Sequence, residues 1–356
     1  SFNSNSMKST SYAPFKKAVF FLFPLISSLC FGQIKIIYET DMETDCDDAG
    51  ALAMLHAFQD NGEVHLLAVM HNTSDDYSVG YIDAVNTYYG HPDLPIGSYK
   101  KDDTYSRDIA ILLNCCTDYT QPIVKDTRFA HDVDTRKDVP DAVDLYKEIL
   151  QQQPDNSVVI ISVGYLLNLK NLIKDDQGIE LVRKKVKDLI IIGRTWFPKD
   201  TMLPLSMNLG GQQINHTAAM ASMEVFEHWP RPIHVAGNFI PRPYHRGKEL
   251  MNTPENNPVR EAYRIYRERY GDWDHHLADL ETVYYAIYRD QKPEYFTLGT
   301  DGTPKIGLHS EPNGIRYFYN LWDTSEDSQH LYWLTKEDKF AEISERIGEL
   351  IVQPPK

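Results

Sequence analysis

Six carboxylates lie within ten residues near the start of the chain, and this acidic cluster is the strongest chemical signal in the sequence. Its members are Glu39, Asp41, Glu43, Asp45, Asp47 and Asp48. In a crevice, so many like charges would repel one another unless a cation neutralised them. Oxygen ligands at this density suit Ca²⁺ or Mg²⁺, and the lack of a neighbouring histidine in the sequence speaks against zinc.

Other interpretations of the acidic cluster can be weighed on the same residues. Asp47 and Asp48 could simply face the positive end of a helix dipole on a solvated loop, and this alternative stays open. An EF-hand is excluded, because Cys46 stands where that loop needs glycine and Leu52 where it needs glutamate. A phosphatase-type pair of aspartates is loosely matched by Asp45 and Asp47, but it gives no reason for the other acids.

The segments around the acidic cluster predict alternating strands and helices. Compact apolar runs occupy residues 34–38, 64–70, 157–163, 189–192 and 233–236, and segments of helical character follow the first three. Strands that are apolar throughout belong to a parallel sheet covered on both faces. The sequence therefore predicts an α/β fold with a doubly wound, mostly parallel sheet and helices on both faces. In such folds ligands bind at the carboxyl ends of the strands.

The first 32 residues have the pattern of a secretory signal peptide. Lys16 and Lys17 precede a short apolar run that Pro24 interrupts, and Gly32 offers a small residue for cleavage. The run is too short for a comfortable membrane span. We therefore predict a signal peptide at 1–32 and a single domain at 33–356. The mature protein would be exported to the periplasm or the extracellular space, with no membrane association after processing.

The charge of the chain narrows the range of partners. The formal net charge is −15 at pH 7. An acidic surface repels phosphate backbones and anionic lipids, which argues against nucleic acid and membrane surfaces as partners. A small neutral substrate or a cation remains compatible with this charge.

The order of the polar motifs resembles one known family. Glu39-Thr40-Asp41, followed after a loop by Asp47-Asp48-Ala49, resembles the opening motif of the inosine–uridine-type nucleoside hydrolases. The loop is longer here and carries an extra aspartate, Asp45. Further segments that resemble the family follow in order at 69–72, 161–168, 208–215 and 279–286. The resemblance extends from about residue 34 to residue 288.

The resemblance implies an activity and a set of site residues. It implies a nucleoside hydrolase-like fold and Ca²⁺-dependent hydrolysis of the N-glycosidic bond of nucleosides or related ribosyl compounds. A calcium-held water would attack, and the transition state would resemble an oxocarbenium ion. The implied metal ligands are Asp41, Asp45, Asp48, Asp279 and the main-chain oxygen of Val163. The implied substrate-binding residues are Asp47, Asn72, Asn208, Gln213 and Asn215. Asp41 would accept the proton of the water, and His276 is the candidate acid for the leaving base.

The sequence departs from the family pattern at several positions, of which Ala278 concerns the leaving group. Ala278 stands where many members have a histidine, Gln213 stands where a carboxylate is usual, and Glu43 replaces a loop glycine. The chain could therefore be a hydrolase that uses another acid such as His276, or a hydrolase for substrates with better leaving groups. The alternative function is a non-catalytic ribose- or nucleoside-binding protein on the same scaffold. Asn72 could also serve as a turn residue and Asp279 as a helix N-cap. The sequence leaves open whether the chain forms a homo-oligomer.

Overall fold

An eight-stranded sheet passes through the protein, and its strand order determines where polar side chains can meet. The structure is a computed structural model that describes residues 32–43, 45–104, 118–198, 203–211, 216–314, 316–326 and 328–356. The strands are β1 Ile34–Thr40, β2 Val64–His71, β3 Ile96–Ser98, β4 Val158–Ser162, β5 Val186–Ile191, β6 Leu203–Pro204, β7 Ile233–Ala236, β8 Phe296–Gly299, β9 Thr303–Ser310, β10 Arg316–Asp323 and β11 Leu331–Thr335. The order in the large sheet is β3-β2-β1-β4-β5-β7-β11-β8.

Helices connect and cover these strands. They are α1 Asp47–Asp60, α2 Ser78–Tyr88, α3 Thr120–Val124, α4 Ala142–Gln151, α5 Leu167–Lys174, α6 Asp176–Lys185, α7 His216–His228, α8 Pro258–Tyr270, α9 Ala278–Tyr288 and α10 Phe340–Ile351. All strand pairs in the large sheet are parallel except β8 with β11. The predicted α/β class with a doubly wound, mostly parallel sheet is confirmed.

The winding of the sheet changes direction at β1. The chain runs from β1 outward through β2 to β3, and then returns to place β4 on the other side of β1. The carboxyl ends of β1 and β4 therefore border the crevice where doubly wound sheets bind ligands. The acidic cluster follows β1 directly, so the topology places it at this crevice.

Most strands of the large sheet contribute to two cores, one on each face. In β1, Ile36 and Tyr38 pack into the core on one face, whereas Ile37 packs into the core on the other face. Helices α1, α9 and α10 cover the first face, and α4 and α6 cover the second. Burial on both faces explains why the strands are apolar throughout, as the sequence indicated.

The sequence does not predict the small antiparallel sheet of the structure. Residues 316–333 are expected from sequence only to contribute C-terminal core and surface, but they contain β10, which pairs with β9 and with β6. Phe318 and Trp322 of β10 are buried, whereas Tyr317 and Leu321 are exposed. This alternation of buried and exposed residues is typical of a sheet that has one face in the core and one face exposed to solvent.

The predicted signal peptide lies almost wholly outside the described residues, so it stays a prediction. Gln33–Lys356 forms one compact unit. Among the residues that the structure describes, we find no helix with the length and apolar character needed to cross a membrane.

Candidate functional site

The acidic cluster forms a loop between β1 and α1 that its neighbours hold in place. Tyr119 fixes the middle of the loop: its hydroxyl accepts a hydrogen bond from the Glu43 amide and donates one to the Asp45 carbonyl, both at 3.0 Å. Asp47 and Asp48 form the first turn of α1, and both are buried. Thr40 at the end of β1 donates its hydroxyl hydrogen bond to Asp48 Oδ1. The positive end of the helix dipole thus faces these two carboxylates.

Glu43 adopts a backbone conformation that favours glycine. Its φ angle is 105°. L-residues with a side chain rarely occupy this region, because the Cβ atom crowds the backbone. The family that the sequence resembles has a glycine at this position, and Glu43 adopts a glycine-like conformation.

A carboxylate from α9 completes a buried acidic group. Asp279 lies in the first turn of α9, and its amide donates a 3.2 Å hydrogen bond to Asp47 Oδ2. One carboxylate oxygen each from Asp47, Asp48 and Asp279 lies within 4.8 Å of the other two. The group contains two of the predicted metal ligands, Asp48 and Asp279, together with Asp47, which was predicted to bind substrate.

Burial and mutual repulsion make this acidic group costly to charge. Burial, with repulsion from Asp41, Asp45 and Asp47, raises the pKa of Asp48 well above its usual value. The pKa of Asp279 is raised well above its usual value by the same two causes. Asp48 Oδ2 is buried and has no hydrogen-bond partner among the described residues. A divalent cation would supply both the missing partner and the missing charge.

The carboxyl ends of β2 and β4 meet the acidic loop. Asn72 follows β2, and its Oδ1 accepts a 3.2 Å hydrogen bond from the Tyr165 amide. The Asn72 amide is buried, and its Nδ2 faces the Glu39 carboxylate. At Gly164 after β4, a Cβ atom would stand 2.5 Å from the Asp41 nitrogen and 2.6 Å from Asn72 Oδ1. Only glycine permits this close approach.

Two further predicted residues lie beside these strand ends. Asn208 Nδ2 donates a hydrogen bond to the Val163 carbonyl, the oxygen that was predicted to ligate calcium. A carbonyl oxygen has a second lone pair, so this bond does not exclude a ligand role. Gln213 and Asn215 lie outside the described residues, and their roles stay predictions.

Two histidines, His275 and His276, contact the acidic cluster. His276 Nε2 lies 3.1 Å from Asp45 Oδ2, and His276 Nδ1 lies 3.1 Å from Asp47 Oδ2. Burial lowers the pKa of His276, but Asp47 and Asp45 outweigh it and raise this pKa well above its usual value. For Asp47 the directions are reversed. Burial raises its pKa, but the neighbouring His276 and His275 outweigh burial and hold the pKa well below its usual value.

His275 was not among the site residues predicted from the sequence, whereas His276 was. In the structure α9 begins only at Ala278, and His275 pairs with Arg246 in an antiparallel bridge. The argument against zinc used only residues near the acidic cluster in the sequence, so it does not hold for the folded chain.

A second polar group that the sequence did not reveal lies beneath the strand ends. Glu39 is fully buried, and Tyr146 donates a 3.1 Å hydrogen bond to its Oε2. Burial raises the pKa of Glu39 to about 8, although hydrogen bonds from Asn168, Tyr146 and Asn72 oppose this. Asn168 also donates to the His71 carbonyl at 3.0 Å. Buried polar side chains therefore lie directly beneath the acidic and amide side chains of the site.

Comparison with known proteins supports the fold. Neither a protein-family model nor a curated protein matches the sequence. Among solved structures, the type III effector protein XopQ complexed with adenosine diphosphate ribose matches with a TM-score of 0.60 and 13% identity, over 90% of this chain and 95% of that one. The effector protein XOO4466 matches with a TM-score of 0.58 and 12% identity, over 90% and 94% of the two chains. At such identities the likeness establishes a shared fold.

A third solved structure is more distant. It is a nucleoside hydrolase-related protein from Saccharophagus degradans that is associated with carbohydrate metabolism. It matches with a TM-score of 0.39 and 12% identity, over 91% of this chain and 73% of that one. A similarity of this size supports no conclusion about function.

Proposed function

We propose that this protein is a calcium-dependent N-ribosyl hydrolase that acts on nucleosides or related ribosyl compounds. The observation that carries the proposal is the buried group of Asp47, Asp48 and Asp279, in which Asp48 Oδ2 has no hydrogen-bond partner in the described residues. The complex of XopQ, a protein of the same fold, with adenosine diphosphate ribose adds support for a ribosyl ligand.

The residues fit a hard cation. Calcium would be held by Asp41, Asp48 and Asp279, together with the main-chain oxygen of Val163, and Asp45 is a further candidate ligand. Bound calcium supplies the Lewis acidity that hydrolysis of an N-glycosidic bond requires. The raised pKa values of Asp48 and Asp279 fit this assignment, because a cation would relieve the repulsion that raises them.

The chain's own side chains would bind the sugar and move the proton. The buried Asn72 amide offers a donor to a sugar hydroxyl, and Asp47 offers an acceptor. Two such groups in fixed positions orient a ribose for reaction. Asp41 would accept the proton of the attacking water, and the half-buried His276, which faces Asp45, would protonate the leaving base.

The experiment measures product release. The purified protein is incubated with purine and pyrimidine nucleosides and with adenosine diphosphate ribose, in calcium or in chelator, and free base or free ribose is quantified. We expect release in calcium and none in chelator. Asp41→Asn should lower turnover by at least about 100-fold. The matched control Asp290→Asn should leave turnover unchanged, because Asp290 is an exposed partner of Lys187.

A second candidate function is calcium-dependent binding of a ribosyl ligand without turnover. Ala278 favours it, because the family's usual acid for the leaving base is missing at this position. Ligand binding that requires calcium, with no product after prolonged incubation, would support this candidate. The absence of both release and binding would contradict both functions.

A further inference from the structure

We propose a second metal site beside the carboxylate group, suited to a zinc-class transition metal ion. Its ligands would be Asp45, Asp47, His275 and His276. With the ion bound, His276 would serve as a ligand, so it would act as the acid of the proposed function only in the zinc-free protein. One ligand atom from each of these four side chains lies within 4.8 Å of the other three. Asp47 also lies close to Asp48 and Asp279, so the second site would adjoin the calcium site.

The distances within this group match the geometry of a zinc site. His275 Nε2 lies 3.4 Å from Asp45 Oδ2 and 3.4 Å from Asp47 Oδ1, and His276 Nε2 lies 3.1 Å from Asp45 Oδ2. Zinc binds nitrogen and oxygen ligands at about 2.0–2.1 Å, so tetrahedral ligands lie about 3.3–3.4 Å apart. These three distances are close to that spacing, and all four donor atoms lie within 4.8 Å of one another.

An unpartnered imidazole nitrogen points into the group. His275 is only 5% exposed, and its Nε2 has no hydrogen-bond partner among the described residues. Asp47 Oδ1, which it faces at 3.4 Å, is likewise buried and lacks a hydrogen bond. Buried polar atoms are rarely left in this state, because an unmade hydrogen bond costs free energy. A coordinated ion would satisfy both atoms.

The protein holds the ligands in place before any ion binds. The His275 amide donates to the Arg246 carbonyl at 2.9 Å, and the Arg246 amide donates to the His275 carbonyl at 3.3 Å. The ring of Tyr266 lies against the ring of His275, with centroids 4.3 Å apart. On the other side, Tyr119 fixes the Asp45 backbone and helix α1 fixes Asp47. Fixed ligands reduce the conformational entropy lost on metal binding.

The donor atoms distinguish this site from the calcium site. The group of Asp47, Asp48 and Asp279 offers oxygen alone, which suits calcium. The second group adds two imidazoles, which zinc and related transition metals prefer. The same imidazoles could instead carry protons and form ion pairs with the acids. The two explanations differ in one observable, which is whether a transition metal binds through nitrogen.

The test titrates the full chain, saturated with calcium, with Zn²⁺ and separately with Co²⁺. We expect one equivalent of Zn²⁺ to bind, as measured by calorimetry and by metal analysis after dialysis. Co²⁺ should show the intense visible absorption of a four-coordinate site. His276→Gln and His275→Gln should each weaken Zn²⁺ binding by at least about 100-fold. Neither substitution should change calcium binding by Asp48 and Asp279.

Two control variants separate this proposal from the proposed function. His309→Gln alters an exposed histidine in β9 and should leave Zn²⁺ binding unchanged. Asp48→Asn should abolish calcium binding and leave the zinc stoichiometry intact. If His275→Gln does not fold, the His276→Gln variant still provides the test, because His276 is only half-buried. Zinc binding that both histidine variants retain, or no zinc equivalent beyond that of exposed histidines, would overturn the proposal.

Discussion

The amide of Asp279 donates a 3.2 Å hydrogen bond to Asp47 Oδ2, although 232 residues separate the two along the chain. This bond joins the start of α9 to the start of α1. The positive ends of both helix dipoles therefore point toward one buried group of carboxylates. The fold thus brings acidic side chains together, and the two helix dipoles offset part of their negative charge. A bound cation would neutralise the rest.

Asp48→Asn tests the calcium group with little change in shape. The asparagine side chain would keep an oxygen for the Thr40 hydroxyl and would lose the negative charge. We expect calcium affinity to fall by at least about 100-fold, as measured by calorimetry. In chelator, the thermal unfolding temperature should rise, because one repulsive carboxylate is gone. Unchanged calcium affinity in the folded variant would refute the assigned role.

Glu43→Gly should stabilise the protein. The φ angle of 105° strains any residue with a Cβ atom, and glycine removes this strain. We expect the free energy of unfolding to rise by about 1 kcal/mol in denaturant titrations. Glu43→Ala removes the same charge but keeps the Cβ atom, so it should give no such gain. An equal gain in the two variants would assign the effect to charge instead.

Gly164→Ala should disturb both stability and the site. The added Cβ atom would overlap the Asp41 nitrogen and Asn72 Oδ1, where β1, β2 and β4 come together. We expect a loss of about 1–3 kcal/mol in the free energy of unfolding, together with weaker calcium and ligand binding. A variant with full stability and full calcium affinity would show that the strand ends are not so closely packed.

Acid should destabilise the protein through its buried histidines. Burial lowers the pKa of His56 to about 3, although a hydrogen bond with Asn86 opposes this. Burial, with repulsion from Arg136 and Lys100, lowers the pKa of His71 to about 3. The unfolded chain takes up these protons near pH 6.5, whereas the folded chain does so only near pH 3. Stability is therefore complete above about pH 6.5 and falls as the pH drops toward 3, by about 1.4 kcal/mol per pH unit for each histidine.

His56→Gln isolates one of these contributions. Glutamine has a side-chain amide that can donate to Asn86 Oδ1, as His56 Nε2 does across 2.9 Å, and it does not titrate. The slope of unfolding free energy against pH is measured between about pH 6 and pH 4. It should decrease by about 1.4 kcal/mol per pH unit, which corresponds to one fewer proton taken up on unfolding. The exposed His309→Gln should leave the slope unchanged. A slope in His56→Gln equal to that of the wild type would contradict the buried, neutral state of His56.

The sequence predicted the features that depend on local pattern. Apolar runs located β1, β2, β4, β5 and β7 but not β3, β8 or β11. Because β1 and β4 are parallel neighbours, the acids after β1 meet the segment after β4. The position of Asp279 followed from the resemblance. What could not be predicted depends on long-range contacts. His275 reaches the acids only because its backbone pairs with Arg246, and Glu39 forms a buried network only because Tyr146 packs over it.

The most direct test of the account is a calcium titration of the chelator-treated protein, followed by its thermal unfolding temperature. A cation that binds only the folded chain stabilises it by about 2.7 kcal/mol at a concentration of 100 times its dissociation constant. We expect a saturable rise in unfolding temperature that chelator reverses and that Asp48→Asn and Asp279→Asn both abolish. An unfolding temperature that does not respond to calcium in the wild-type protein would contradict the claim that these carboxylates hold a divalent cation.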